Sequence, residues 1–205
     1  MAPRPKKAAA GQAHLVLSGE SGLLLNPLVR RTWAVRGQTP ISGGDGGHRE
    51  RVPVVGAVSV SPLARHLGRY FATLPDGFVT AGAVVGFLRN LLEHLRGEVV
   101  VVWDGGGDHT GPLVRAVVER NRRLTPERLP AYAPALNPVE AGWSWLKYGQ
   151  RANDVPDGMP ELDDEVVDRR VELKFDPGLL RVLRERSDLP FPRSRVKQPC
   201  LPAGQ

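Results

Sequence analysis

Two carboxylates of this 205-residue chain stand where an α/β protein exposes side chains to a cleft. Asp104 directly follows Glu98-Val-Val-Val-Val-Trp103, an apolar run that reads as a central strand buried on both faces, whose end opens on the edge where ligands bind. Glu140 stands in the first turn of a helix that Asn137 caps and Pro138 opens. Carboxylate oxygens suit hard cations such as Mg²⁺. Taken singly, each acid also has an ordinary explanation: Asp104 before three glycines can simply begin a turn, and Glu140 can complement a helix dipole. Two further side chains lie near them in the chain. His109 precedes the next helix and could meet the same cleft or make a backbone contact. Lys147 is two helical turns beyond Glu140 on the same face, placed to meet a phosphate or to sit in solvent.

The elements that must position these residues follow from hydrophobic period and punctuation. His14–Ser18 and Leu23–Asn26, on either side of Gly19-Glu-Ser-Gly22, read as two strands or one interrupted strand. Arg30–Val35 is β-prone, Val52–Val60 is a clear strand with Pro53 tolerated at its start, and Arg65–Thr73 is expected to form another. Thr80–Arg96 repeats apolar residues at helical spacing. After the strand ending at Trp103, a helix capped by Thr110 or Gly111 runs to about Arg123, and Glu127–Pro130 reads as a short strand. The helix from Asn137 runs through Lys147, and two more helical stretches are expected at Glu161–Leu173 and Pro177–Arg186. Strands alternating with helices in this order describe an α/β domain with a mixed sheet and helices packed on it. Trp33 and Trp143, each among apolar neighbours, are expected in the core rather than on a nucleic acid.

The stretch from Asp104 to Glu140 carries more than its two acids. Asp104, His109, then Pro130-Ala-Tyr132-Ala-Pro134-Ala-Leu136-Asn137-Pro138-Val-Glu140 and Trp143 resemble the catalytic half of mariner-like DDE transposases, in particular the 630 group of bacterial insertion sequences. Upstream, Glu20-Ser-Gly22, Pro27, Arg31-Thr-Trp33-Ala and Gly37-Gln-Thr-Pro40 resemble that family's opening motif, so the likeness spans about residues 14 to 150. The resemblance implies a ribonuclease H-like fold and metal-dependent DNA strand cleavage and strand transfer. It implies that Asp104 and Glu140 are metal-binding catalytic residues, with His109 and Lys147 as auxiliaries. Mg²⁺ or Mn²⁺ is the implied cofactor, as two ions in an intact site. The family places Asp before Glu-Ser-Gly; here Gly19 stands there, and the carboxylate expected to bridge the ions is missing. Asp104 and Glu140 alone would hold two ions poorly. Glu20 is adjacent, but neighbouring strand residues point to opposite faces, so a backbone shift would be needed for it to substitute.

Composition bounds the rest. Lys and Arg outnumber Asp and Glu by 28 to 22, giving a net charge of +6 that favours polyanionic partners, DNA above all. The single cysteine, Cys200, permits neither a disulfide framework nor a thiolate metal cluster, no apolar run reaches the length of a membrane span, and a cytoplasmic location is expected. The chain divides into a basic leader (1–13), a catalytic domain (14–187) and a disordered Pro/Arg-rich tail (188–205). Non-specific DNA contact through the domain is expected, with a separately encoded helix-turn-helix half to read the element's ends and a homodimer as the assembly. The competing readings are a non-catalytic transposase remnant or DNA-binding module, which Gly19 favours, and a ribonuclease H-like nuclease unconnected with transposition, which Asn137-Pro-Val-Glu140 disfavours.

Overall fold

The computed structural model describes residues 12–24, 31, 33–38, 51–62, 67–74, 78–104, 106–130, 136–147, 160–162 and 164. Its strands and helices are β1 (Ala13–Leu24), β2 (Arg51–Val60), β3 (Leu67–Thr73), α1 (Ala81–His94), β4 (Glu98–Trp103), α2 (Pro112–Arg120), β5 (Leu124–Arg128) and α3 (Pro138–Trp145). They form one five-stranded mixed sheet in the order β3-β2-β1-β4-β5. β1 is its middle strand, antiparallel to β2 and parallel to β4.

Alternation along β1 sorts its side chains onto two packed faces. Val16 joins Val99, Val101 and Trp103 beneath α1 and α2, where Val84, Leu88, Leu91, Val114 and Val117 complete the layer. Leu17 and Leu23 join Val100 and Val102 on the other face, where α3 contributes Val139 and Trp143. The glycines at 19 and 22 do not interrupt β1. It pairs with β2 without a break from Leu15 opposite Val60 to Leu24 opposite Arg51, with Gly19 opposite Gly56, because the ladder bonds are made by backbone groups that the side chains do not alter.

α1 starts where Thr80 accepts a hydrogen bond from the Ala83 amide at 3.2 Å. It ends two residues short of the expected Arg96. There the Arg123 guanidinium donates to the carbonyls of Leu92, Leu95 and Gly97, satisfying groups that an unbraced helix end would leave to water. Gly97, with φ at 89°, then turns the chain into β4.

Three expectations need correction. β5 runs from Leu124 to Arg128 rather than from Glu127 to Pro130: Leu124 is buried against β4, and Pro126 is accommodated because β5 is an edge strand. Residues 33–38 form no strand. They end in a turn in which the Gln38 amide donates to the Val35 carbonyl at 2.9 Å with Gly37 at φ 85°, and Trp33, expected in the core, is 100% exposed. Trp143 is buried as expected. Residues 160–162 and 164 are helical, with Leu162 in the core; the rest of the expected helices at 161–173 and 177–186, the leader and the tail lie outside the described residues.

Candidate active site

The carboxyl end of β4 and the amino end of α3 converge on the middle of β1. α3 is held there by Asn137, a buried N-cap. Its side-chain oxygen accepts from the Val139 amide at 3.2 Å, while its side-chain nitrogen donates to the Ser18 carbonyl of β1 at 3.0 Å. One side chain thus both starts the helix and fixes it to the central strand. Trp143, two turns in, sits over Gly56: a Cβ there would come within 2.7 Å of the indole, so only glycine leaves room for it. Phe71 of β3 meets the same indole edge-on, with ring centroids 5.8 Å apart.

This docking carries Glu140 to Gly19. A Cβ built on Gly19 would point at Glu140, 3.4 Å from its Oε1, and would lie 3.0 Å from the Asn137 side-chain nitrogen. A side chain at 19 therefore faces the acid of α3, with Asn137 obliged to give by a few tenths of an ångström. Burial pushes the Glu140 carboxyl above its ordinary range; the Lys147 charge opposes that shift and the Asp104 charge adds to it. Lys147 is in turn pulled down by burial and pushed up by Glu140. Asp104 and Lys147 thus each lie near enough to Glu140 to act on its charge.

Asp104 stands just past β4 with its side chain 73% exposed. Its Oδ1 accepts from the Gly106 amide at 3.0 Å, and His109 Nδ1 lies 3.0 Å from the same oxygen. The His109 ring is stacked on Trp103, with centroids 4.8 Å apart and planes within 9°. Its other nitrogen, Nε2, lies 2.7 Å from Glu20 Oε1. Burial lowers the His109 pKa, yet the Glu20 hydrogen bond and the charges of Glu20 and Asp104 outweigh it and leave the pKa raised. With acceptors facing both nitrogens, the doubly protonated ring is the form that satisfies both.

Asp104, His109, Glu140 and Lys147 therefore gather beside Gly19 and Glu20 of β1. Glu20 was correctly placed on the face opposite Gly19, but no backbone shift is needed for it to matter, because it reaches Asp104 through His109. Local sequence offers no sign of that contact, since Glu20 and His109 are 89 residues apart. Among the described residues, no group of three or more His, Cys, Asp or Glu is gathered as a metal cluster would be. By their chemistry Asp104 and Glu140 could hold a hard cation completed by water, while position 19 supplies no oxygen to it.

A mixed five-stranded sheet with helices on both faces is the ribonuclease H-like fold, here with acids at the ends of β4 and α3. The solved catalytic domain of Mos1 mariner transposase has this fold: it superposes with a TM-score of 0.55 at 16% identity, over 88% of this chain and 81% of that one. The chain belongs to the DDE superfamily endonucleases, whose family pattern matches residues 14–162. It also superposes on the Mos1 transposase paired-end complex with left transposon end (TM-score 0.60, 20% identity, 88% of this chain and 54% of that one). A Mos1 paired-end complex with Mg matches too (TM-score 0.55, 22% identity, 84% and 53%). The chain thus spans about half the length of these longer Mos1 chains. No curated protein matches it.

Proposed function

We propose that this chain is the catalytic domain of a mariner-like transposase of the 630 insertion-sequence group, acting on DNA with Mg²⁺ or Mn²⁺ and slowed by Gly19. The observation that carries the reading is the convergence of Gly19 and Glu140: the side chain missing from β1 would point at the carboxylate of α3. Asp104 and Glu140 are the residues that would hold the ion. A bound divalent ion supplies charge stabilisation for in-line displacement at a phosphodiester. The chain's own contribution is to bring two acids from separate elements to one cleft, to keep Glu140 half-buried, and to set the Lys147 cation near it. Lys147 and the net charge of +6 favour a polyanion without selecting sequence, so DNA affinity should fall steeply as salt rises. Sequence-specific reading by a separately encoded helix-turn-helix half, a homodimeric assembly and a cytoplasmic location belong to the same proposal. Among the described residues, no helix is long and apolar enough to cross a membrane.

The test is metal-dependent nicking of supercoiled plasmid by the wild-type chain, Gly19→Asp and Gly19→Asp/Glu140→Ala. Restoring an oxygen ligand should raise the rate on the order of 10²–10³-fold, the usual worth of one well-placed electrostatic stabiliser. Removing Glu140 should abolish that gain. Wild-type nicking as fast as that of Gly19→Asp would remove the claim of impairment. Gly19 also favours a second reading, a DNA-binding module without catalysis; retained plasmid binding with no nicking by any of the three proteins would select it.

A further inference from the structure

A carboxylate on the middle strand of a sheet is costly unless something compensates its charge, and Glu20 is such a residue. It lies on the α1/α2 face of β1, otherwise lined by Val16, Val99, Val101 and Trp103, with its side chain only 25% exposed. What compensates it is His109, 5% exposed, clamped flat on Trp103 and reaching Glu20 with Nε2 at 2.7 Å and Asp104 with Nδ1 at 3.0 Å. Stacking fixes the ring plane, and the contact with Glu20 fixes the rotation within that plane. The Nδ1 edge is then committed to Asp104. His109 Nδ1 hydrogen-bonds the Asp104 carbonyl at 3.4 Å and lies 3.0 Å from Oδ1, the oxygen that also accepts from the Gly106 amide, which leaves Oδ2 as the oxygen to meet a cation.

We propose that Glu20 is a positioning residue, which through His109 holds Asp104 Oδ1 and so presents Oδ2 to the divalent cation. The proposal rests on the reading of Asp104 as a metal ligand. It gives Glu-Ser-Gly22 a task separate from the position before it: Gly19 faces Glu140 on one side of β1, while Glu20 braces Asp104 from the other. Groups that orient a ligating side chain are commonly worth 10–100-fold in metal affinity when removed.

The experiment uses the full chain and two readouts, with thermal midpoints of every variant recorded to establish folding. The first needs no metal. In ¹⁵N-labelled protein the His109 Nε2–H, shielded from water by Glu20 and Trp103, should give a slowly exchanging proton signal. That signal should persist in Glu20→Gln, which keeps an acceptor oxygen, and vanish in Glu20→Ala. The second is Mn²⁺ affinity by calorimetry in the wild-type chain and in a Gly19→Asp background. Glu20→Ala should weaken binding about 10–100-fold, Glu20→Gln should restore it to within about 3-fold, and Asp104→Asn should abolish it. Loss of the slow proton with unchanged Mn²⁺ affinity in Glu20→Ala would overturn the proposal while leaving the metal site standing. Unchanged affinity in Asp104→Asn, or no Mn²⁺ binding in either background, would overturn the metal reading and this proposal with it.

Discussion

The two faces of the sheet share an aliphatic core but differ in what lies over the middle of the strands. Beneath α1 and α2, aliphatic side chains meet aliphatic side chains, and the layer is closed by Trp103 stacked on His109. Beneath α3, the strands present glycine twice, at 19 and 56, and the helix answers with a polar cap and an indole. Both faces are filled by aliphatic side chains, but the second adds a close approach of strand backbone to α3 side chains at Gly19 and Gly56. Glu140 lies with the second because a helix lying close on two glycines can bring its acidic first turn onto a strand, which larger side chains at positions 19 and 56 would oppose.

Removing volume from the first face should give the largest effect. Leu88→Ala, at a position 1% exposed, should cost about 2–5 kcal/mol in denaturant unfolding while leaving the Mn²⁺ affinity of the folded protein unchanged. A parallel fall in metal affinity would break the separation between the faces. Adding volume to the second face should cost less stability but reach the chemistry. Gly56→Ala places a methyl 2.7 Å from Trp143, so a loss of about 1–3 kcal/mol is expected, with α3 displaced and Mn²⁺ binding weakened through Glu140. Unchanged metal affinity in that variant would show that Glu140 is positioned without the Gly56–Trp143 contact.

The smallest effect has a sign that changes the usual expectation for an acid. Because the folded state raises the Glu140 pKa above 4.5, chiefly by burial, it penalises the ionised form. That penalty is absent below the unfolded value and complete above the folded one. Glu140→Gln should therefore be more stable than wild type near neutral pH, with the gap in thermal midpoint closing as pH falls through the carboxylate range. A gap that widens on acidification would mean that Glu140 is stabilised in its charged form.

The places of Asp104 and Glu140 in the fold were legible in the sequence because each stands at the end of an element with a strong local signature: a run of four valines and a tryptophan before one, an Asn-Pro helix start before the other. The mixed α/β order was legible for the same reason, through period and punctuation. Trp33 was not, since an aromatic among apolar neighbours says nothing about which side of the chain the fold will cover. Glu20 was not, because its importance arises from a ring 89 residues away that local chemistry cannot point to. The start of β5 was misplaced because Pro126 and its charged neighbours hide a strand that only its pairing with β4 defines.

The parallel pairing of β1 with β4, from Ala13 opposite Glu98 to Leu17 opposite Val102, also bears on how the molecule comes into being. Gly19 and Glu20 travel with β1, while Asp104 and His109 travel with the segment after β4, and only this one long-range register brings them together. Closing so large a loop costs entropy before any contact repays it, and non-local parallel pairing is intrinsically slow to form. The basic charge of the chain exists from the moment it is synthesised, whereas the cleft exists only once β1 and β4 have joined. A newly made chain thus carries its charge before it has the cleft, and the rate at which its central strands find each other sets when that cleft appears.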